Sequence, residues 1–317
     1  MQIAVVIVTW NSSRLLGNVL NALNHQTLYP DKVLIIDNNS KDVDEVMKIT
    51  KKYSFCELLR MQKNTGFASA NNIAIDRCCD FKYLALLNPD AFPEPDWLEQ
   101  LLTAANAYPE VAAFGSRQLR HDNPNILDGI GDCYHISGRV WRERRGEQQR
   151  QDDLVDREIF SPCAAADLYR RQILVDVGGF DEDFFCYLED VDLGFRLRLA
   201  GHKARYVPGA VVHHIGSATT GGQHSDFSVY YGHRNLVWTF IKNMPGVLFW
   251  ILLPLHVLLN FVTIIYFISR GQGKVIWKAK QDAIKGIPKM WRKRHSIQIG
   301  RRASIIDIWR VLDKGLN

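Results

Sequence analysis

The sequence predicts an α/β protein built on a mostly parallel β-sheet with helices on both faces, continued by a membrane-associated helical tail. Three observations carry that prediction. Strand-like and helix-like runs alternate through the first 115 residues, the pattern of repeated βαβ units. Polar residues recur just after successive strands, where open α/β sheets hold ligands. Residues 247–268 are almost wholly apolar, and a strongly basic segment follows them.

The first strand is read at 3–8, an unbroken apolar run, with Asn11, Ser12 and Ser13 available to cap a helix at 13–25. Strands at 32–37 and 56–61 alternate with helices at 42–52 and 67–78. The fourth strand, 83–87, reads Tyr-Leu-Ala-Leu-Leu and is stopped by Pro89. Pro95 suits the first turn of a helix at 95–107, and a fifth strand follows at 111–115. From 116 to 160 the pattern weakens, and the charged stretch 142–156 predicts a long loop or flap. Order returns at 159–168. A short helix at 171–177 ends at Gly178-Gly179. Residues 189–200 read as an amphipathic helix with Val191, Phe195 and Leu199 on one face, stopped by Gly201. Closing strands are read at 203–207 and 210–213. The organisation predicted is a main domain at 1–240, divided into halves 1–115 and 116–240, with a helical tail at 241–317.

Composition narrows the class. Of the 317 residues 47% are apolar and 23% charged, which is globular and not disordered. The six cysteines show no Cys-x-x-Cys spacing, which predicts free thiols in a reducing compartment and no zinc site. No basic n-region precedes the first apolar run, so no cleaved signal is expected. A Gly-x-Gly-x-x-Gly fingerprint after the first strand is absent, which disfavours a dinucleotide site. The net charge of +5 hides an asymmetry. Residues 270–317 carry 13 Lys/Arg against 3 Asp/Glu, and the remainder carries 26 against 31.

Within 247–268 only Pro254, His256, Asn260 and Thr263 depart from the apolar type. The length permits a membrane span, but His256 and Asn260 are costly in lipid. A single crossing also separates the basic tail from a body that has no export signal. A broken, re-entrant or interfacial helix pair is therefore expected, with residues 247–302 on an anionic membrane surface at the cytoplasmic face of the plasma membrane. The adjacent apolar stretch gives the charge a membrane reason, so nucleic acid is not expected as a partner.

Candidate chemistry sits at the strand ends. Thr9, Trp10 and Asn11 follow the first strand. Asp37-Asn38-Asn39-Ser40 follows the second, either as a turn capping the next helix or with Asp37 accepting a pyrimidine N3–H. Asn64, Gly66 and Phe67 follow the third, and Asn71 and Asn72 add a pair of amides in the next helix. Asn88-Pro89-Asp90 follows the fourth, delivering a carboxylate suited to a hard divalent cation. Later in the chain Asp192 and Arg196 pair at i, i+4, leaving Glu189 and Asp190 available as a general base. His213 and His214 end the last strand, with one imidazole on each side of it.

These motifs, in this order and spacing over residues 1–240, resemble glycosyltransferase family 2, and most of all its bacterial rhamnosyl- and galactofuranosyltransferase branch. The resemblance implies the GT-A nucleotide-sugar transferase fold, Rossmann-like in its sheet, and an inverting single displacement. It implies that Asp37 binds the nucleobase, that Asp90 ligates Mg²⁺ or Mn²⁺ on the diphosphate, and that His214 or His213 completes the metal site. It implies Asp190 as the base, with Glu189 as runner-up. The family's metal motif is often Asp-x-Asp, and here Asn88 replaces the first carboxylate. Processive members carry Gln-x-x-Arg-Trp, which is absent here, so one sugar is expected per visit. The implied acceptor is a lipid-linked saccharide of cell-surface polysaccharide synthesis. The implied donor is dTDP-rhamnose first, then a galactofuranosyl or other UDP-sugar. A nucleotidyltransferase would need a glycine-rich basic loop that residues 10–14 do not supply. A non-catalytic scaffold fits poorly with Asp37, Asp90 and Asp190 together.

Overall fold

A computed structural model describes residues 2–216, 221, 222 and 224–315. Strands β1 (Ile3–Thr9), β2 (Lys32–Asp37), β3 (Cys56–Arg60) and β4 (Tyr83–Leu87) pair in parallel in the order β3-β2-β1-β4. Helices α1 (Ser13–Asn24), α2 (Val43–Thr50) and α3 (Gly66–Arg77) connect them. β1 and β4 are buried along nearly their whole length because helices cover both faces. One face packs Val6, Leu34 and Leu84 with Ala70 and Ala74 of α3. The other packs Val5, Ile7 and Val33 with Leu16, Leu20 and Leu23 of α1. Each such side chain contributes roughly 1.5–3 kcal/mol by leaving water. Register pairs Thr9 with Asp37 and Asp37 with Arg60, so these strands finish level with one another.

The second half of the sheet is mixed. After β5 (Ala91–Pro93), α4 (Trp97–Ala107) and β6 (Val111–Arg120) come the short strands β7 (Leu127–Gly129), β8 (Asp132–Tyr134), β9 (Val140–Arg142) and β10 (Arg157–Ile159). β11 (Ala166–Arg170) then runs antiparallel between β4 and β6. α5 (Arg171–Asp176) and α6 (Glu189–Leu199) lead to β12 (Lys203–His214), which pairs in parallel with β6. The two closing strands expected from sequence are one strand with a register shift between Val207 and Val211. Pro95 lies just ahead of α4 and not within it, since that helix starts at Trp97 after Asp96.

The region expected to be a loop is folded. β8 and β9 pair, β7 pairs with β6, and β10 pairs with β12. Its charged residues are partnered inside the fold: Asp153 is buried against Arg144 at 3.3 Å, and Asp128 pairs with Arg142 and Arg145. Three-residue strands and short turns whose charges are paired within the fold carry no apolar alternation, which is why the pattern read as a loop.

The tail folds onto this body. α7 (Asp226–Asn243), α8 (Gly246–Ser269), α9 (Gly273–Ile299) and α10 (Ile305–Val311) share a core with α6, including Phe195, Trp238, Phe240, Phe249 and Met290. Buried Lys242 pairs with Asp181 at 2.5 Å and with Asp192 at 2.7 Å, while Lys289 and Lys293 of α9 pair with Asp183 at 2.6 and 2.7 Å. The expected boundary at 240 therefore falls inside α7. α8 is one continuous helix of 24 residues through Pro254, roughly 36 Å long, so it is not broken there. Its polar residues face protein: His256 Nδ1 lies 2.8 Å from the Ser137 carbonyl, and Asn260 accepts a hydrogen bond from Lys280. Trp250, Ile251, Val257, Leu258 and Phe261 face outward along the helix, each more than half exposed.

Candidate active site

The strand ends and the second half enclose a cavity of about 900 Å³. Trp10, Asn38, Asn64, Gly66, Phe67, Asn88 and Asp90 supply one wall, from the turns that follow β1 to β4 and the start of α3. Asp132, Arg142, Arg145, Glu189, Asp190 and His214 supply another.

The first wall is braced by Asn38. Its amide donates to Asn64 Oδ1 at 3.0 Å and to the Gly66 carbonyl at 3.1 Å, and its oxygen accepts from the Thr65 N–H at 2.9 Å. Gly66 has φ +83°, and a Cβ there would lie 2.5 Å from the Phe185 carbonyl oxygen. Only glycine lets the two halves approach this closely.

Asp90 is delivered by the Pro89 stop and is 7% exposed. His214 Nε2 lies 3.3 Å from Asp90 Oδ1 without hydrogen-bond geometry, and its Nδ1 is held 2.7 Å from Asp128 Oδ2. A buried imidazole fixed by a carboxylate on one nitrogen, with the other aimed at a carboxylate, is a donor set suited to a divalent cation. Asp128 also receives Arg142 and Arg145. Burial alone would raise its carboxyl pKa. The His214 hydrogen bond and the neighbouring positive charges outweigh burial and hold it well below the usual range. Gly129, at φ +154°, leaves the space that Arg142 crosses; a Cβ there would lie 2.1 Å from the Arg142 side chain.

The other carboxylates are tuned upward. Asp190 accepts N–H bonds from Ala164 at 3.2 Å and Val191 at 2.8 Å at the start of α6. Burial nevertheless raises its pKa, the backbone bonds and Arg142 opposing. Glu189 is raised well above the usual range, by burial and then by Asp190, and its Oε2 has no partner. Asp132 is raised by burial and then by Asp190, which stands close: ligand atoms of Asp132, Cys163 and Asp190 all lie within 4.8 Å of one another. Asp192, as expected, is taken by Arg196 at 2.9 Å.

Several predicted site residues lie elsewhere. His213 points away and pairs with Glu94 at 2.5 Å, so His214 alone joins Asp90. Asn11 ties two turns together, accepting from the Lys41 N–H at 2.8 Å and donating its own N–H to Ser40 Oγ at 2.9 Å. Asn39 is an exposed turn residue at φ +63°. Asn71 bonds back to the Phe67 carbonyl, and Asn72 clamps Phe180 through both amide atoms. Thr9 and Asp37 are buried and do not line the cavity, although Thr9 Oγ1 and Asp37 Oδ1 lack partners. The cavity also uses residues that sequence reasoning missed: Asn38, Asp132, Arg142 and Arg145, with Asp128 behind them. The one signal for the last group is Asp128-Gly129-Ile130-Gly131-Asp132, two carboxylates interleaved with glycines in a stretch read as irregular.

The family pattern described as glycosyl transferase family 2 matches residues 4–178. The chain is 30% identical over 238 residues to an N-acetylglucosaminyl-diphospho-decaprenol L-rhamnosyltransferase of Mycobacterium tuberculosis, covering 68% of this chain and 77% of that relative. It is 28% identical over 216 residues to the O-antigen chain rhamnosyltransferase RfbN of Salmonella typhimurium, covering 68% and 66%. Among solved structures, GalNAc-T7 with UDP, GalNAc and Mn²⁺ shares the fold at a TM-score of 0.61 and 15% identity, over 76% of this chain and 48% of that one. The mannosyltransferase PcManGT from Pyrobaculum calidifontis, in complex with GDP-Man and Mn²⁺, aligns at 0.56 and 16% identity, over 98% and 87%.

Proposed function

The chain belongs to glycosyl transferase family 2, and from that premise we propose that it moves one sugar from a nucleoside diphosphate donor to a lipid-linked saccharide by a single inverting displacement. The observation that carries this reading is one cavity holding both the Asp90–His214 pair and the Glu189–Asp190 pair. Asp190 takes the proton of an acceptor hydroxyl. The hydroxyl oxygen bonds to the anomeric carbon, and the carbon–oxygen bond to the diphosphate breaks, its electron pair leaving with the nucleoside diphosphate. No second acid is needed, because diphosphate is already a good leaving group.

Asp90 and His214 Nε2 are the residues to hold Mg²⁺ or Mn²⁺, which supplies neutralisation of the diphosphate charge. Asp128 orients His214 for that role. Nucleobase recognition is assigned to Asp37, whose Oδ1 has no partner, although the side chain is buried at the end of β2 behind the cavity lining. The donor read first is dTDP-rhamnose, supported by the two rhamnosyltransferase relatives, and a galactofuranosyl or other UDP-sugar stands second. The relative whose name specifies a decaprenyl diphosphate-linked N-acetylglucosamine supports an acceptor of that chemistry. The outward stripe of α8 and the lysines and arginines of α9 support a reading in which the enzyme sits on an anionic membrane surface, at its cytoplasmic face.

The test has two arms. Full-length protein is incubated with Mg²⁺ or Mn²⁺ and a panel of nucleotide-sugars, and slow donor hydrolysis is measured; dTDP-rhamnose is expected to be consumed fastest. In parallel, Trp250→Glu with Phe261→Glu is expected to lose flotation with anionic vesicles. Hydrolysis of no donor in the panel sinks the catalytic reading, and flotation unaffected by the double change sinks the membrane one.

A further inference from the structure

Four aromatic rings at the cavity have no task in the mechanism above. Phe185 and Tyr187 come from the segment before α6, and Phe227 and Tyr231 from the first turns of α7; all four line the cavity. Phe185 stacks on Tyr231 with ring centroids 5.1 Å apart and planes 18° apart. Phe227 stands 4.8 Å from Tyr231 and 6.2 Å from Tyr187. None of the four is fully buried.

The backbone that presents two of these rings is strained. Phe185, Tyr187 and Leu188 have φ of +65°, +66° and +64°. Bulky residues in the left-handed region cost about 1–2 kcal/mol each, and they persist only where the surroundings impose them. Here the surroundings do. Asn235, fully buried on α7, donates its amide to the carbonyl oxygens of Phe184, Cys186 and Tyr187 at 3.0, 2.9 and 2.7 Å. Arg234 donates to the carbonyls of Asp183 and Phe184, at 2.9 Å each. On the opposite side the Gly66 turn makes room for the Phe185 carbonyl, which accepts the Ala68 N–H at 3.2 Å. Strain held by a dedicated clamp at a cavity is characteristic of ligand-holding segments.

The position of the rings names the ligand. Tyr187 is three residues before Asp190, so the rings stand next to the group that takes the acceptor proton. Flat aromatic faces bind the apolar face of a pyranose by dispersion without needing charge. On its other side α7 reaches the apolar hairpin: Val229 packs with Phe267 and Ile276, and the Tyr230 hydroxyl donates to Asp282 at 2.8 Å. The rings therefore lie where the membrane-facing helices meet the catalytic cavity. We propose that Phe185, Tyr187, Phe227 and Tyr231 form the acceptor subsite. They hold the terminal sugar ring of a prenyl diphosphate-linked saccharide with its reacting hydroxyl toward Asp190. The proposal rests on the glycosyl-transfer reading and adds the acceptor's place within it.

Farnesyl diphosphate-linked N-acetylglucosamine is the probe, with farnesyl diphosphate alone as comparator. Full-length Phe227→Leu/Tyr231→Leu is expected to raise the acceptor KM by about tenfold or more, the scale of losing one or two ring contacts. Its donor dissociation constant, measured calorimetrically without acceptor, is expected to stay unchanged. Tyr231→Phe keeps the ring and is expected to keep the KM, which separates loss of the contact from loss of the fold. An unchanged acceptor KM in the double variant overturns the proposal, as does parallel weakening of the donor. Equal weakening of farnesyl diphosphate reassigns the rings to the prenyl chain and also overturns it. If wild-type protein consumes donor but never binds the probe, the subsite falls while glycosyl transfer stands. If wild-type protein consumes no donor, the underlying reading itself fails.

Discussion

Asp190→Asn is expected to lower transfer by about three orders of magnitude, within the range that a positioned general base supplies, while leaving donor binding in place. The substitution keeps the shape of the side chain but only one of its two N–H bonds, because Ala164 and Val191 donate to different carboxylate oxygens, so it removes basicity together with one backbone hydrogen bond. Glu189 cannot stand in. Burial, the larger cause of its raised pKa, persists in the variant even though the Asp190 charge is gone, and it disfavours the ionised form that a base needs. Asp132 is raised in the same way and keeps its proton close to Asp190. Because burial raises Asp190 too, its ionised fraction grows as pH rises above the ordinary aspartate range. The rate should climb along that limb, and Asp190→Asn should lose the limb as well as the rate. Stability moves the opposite way. The folded protein keeps protons on Asp132, Glu189 and Asp190 that the unfolded chain releases near pH 4, so stability falls as pH rises through the gap. The pH–rate profile of the two proteins, with donor affinity by calorimetry, checks this. A variant with near wild-type turnover would sink the assignment of the base.

The contrast between the two halves explains how much was legible in the sequence. β1, β2 and β4 are long apolar runs sealed on both faces, so their positions follow directly from hydropathy, and the turns after them had to carry the polar groups. A polar residue after a strand, however, has two fates that look alike in sequence. Asn38, Asn64 and Asp90 line the cavity, whereas Asn11, Asn39 and Asn71 serve turns or their own helix, and nothing in residue type separates the two sets. The His213–His214 pair shows the same limit, resolved only when β12 sends one ring to Asp90 and the other to Glu94. The second half hid more. There the fold buries Asp128 on a strand of three residues and Asp153 on a short 3-10 turn, each partnered by arginine, and neither periodicity nor polarity marks such a segment as structured. In the tail, Pro254 suggested a break that α8 does not make: the helix continues through it, and its polar residues find partners on Ser137 and Lys280.

The Asn88-Pro89-Asp90 turn separates its two polar residues by the size of effect each should show. Asp90→Ala is expected to abolish measurable transfer, a loss of about a thousandfold or more from removing the main charge stabilisation at the leaving group. Asp90 is the carboxylate 3.3 Å from His214 Nε2, and Asp128 fixes that ring from behind with Arg142 and Arg145 attached. Removing it leaves His214 without a partner for any cation. Asn88 is neutral, and its backbone N–H donates to the Ala165 carbonyl at 2.8 Å whatever its side chain. Asn88→Ala should therefore keep the turn and weaken only cation or donor binding. His214→Ala and Asp128→Asn should fall between the two, at about 10- to 100-fold in metal affinity, the usual scale for a weaker ligand or for the group that orients one. Titration of Mn²⁺ into each protein, followed by electron paramagnetic resonance, reads affinity apart from turnover. The order expected is loss in Asp90→Ala, partial loss in His214→Ala and Asp128→Asn, and the smallest change in Asn88→Ala. His213→Ala should match wild type in the same titration, since its ring is committed to Glu94 on the far side of β12. Tight, saturable Mn²⁺ binding retained by Asp90→Ala would show that the cation sits elsewhere, with the Asp132–Asp190 cluster the first place to look.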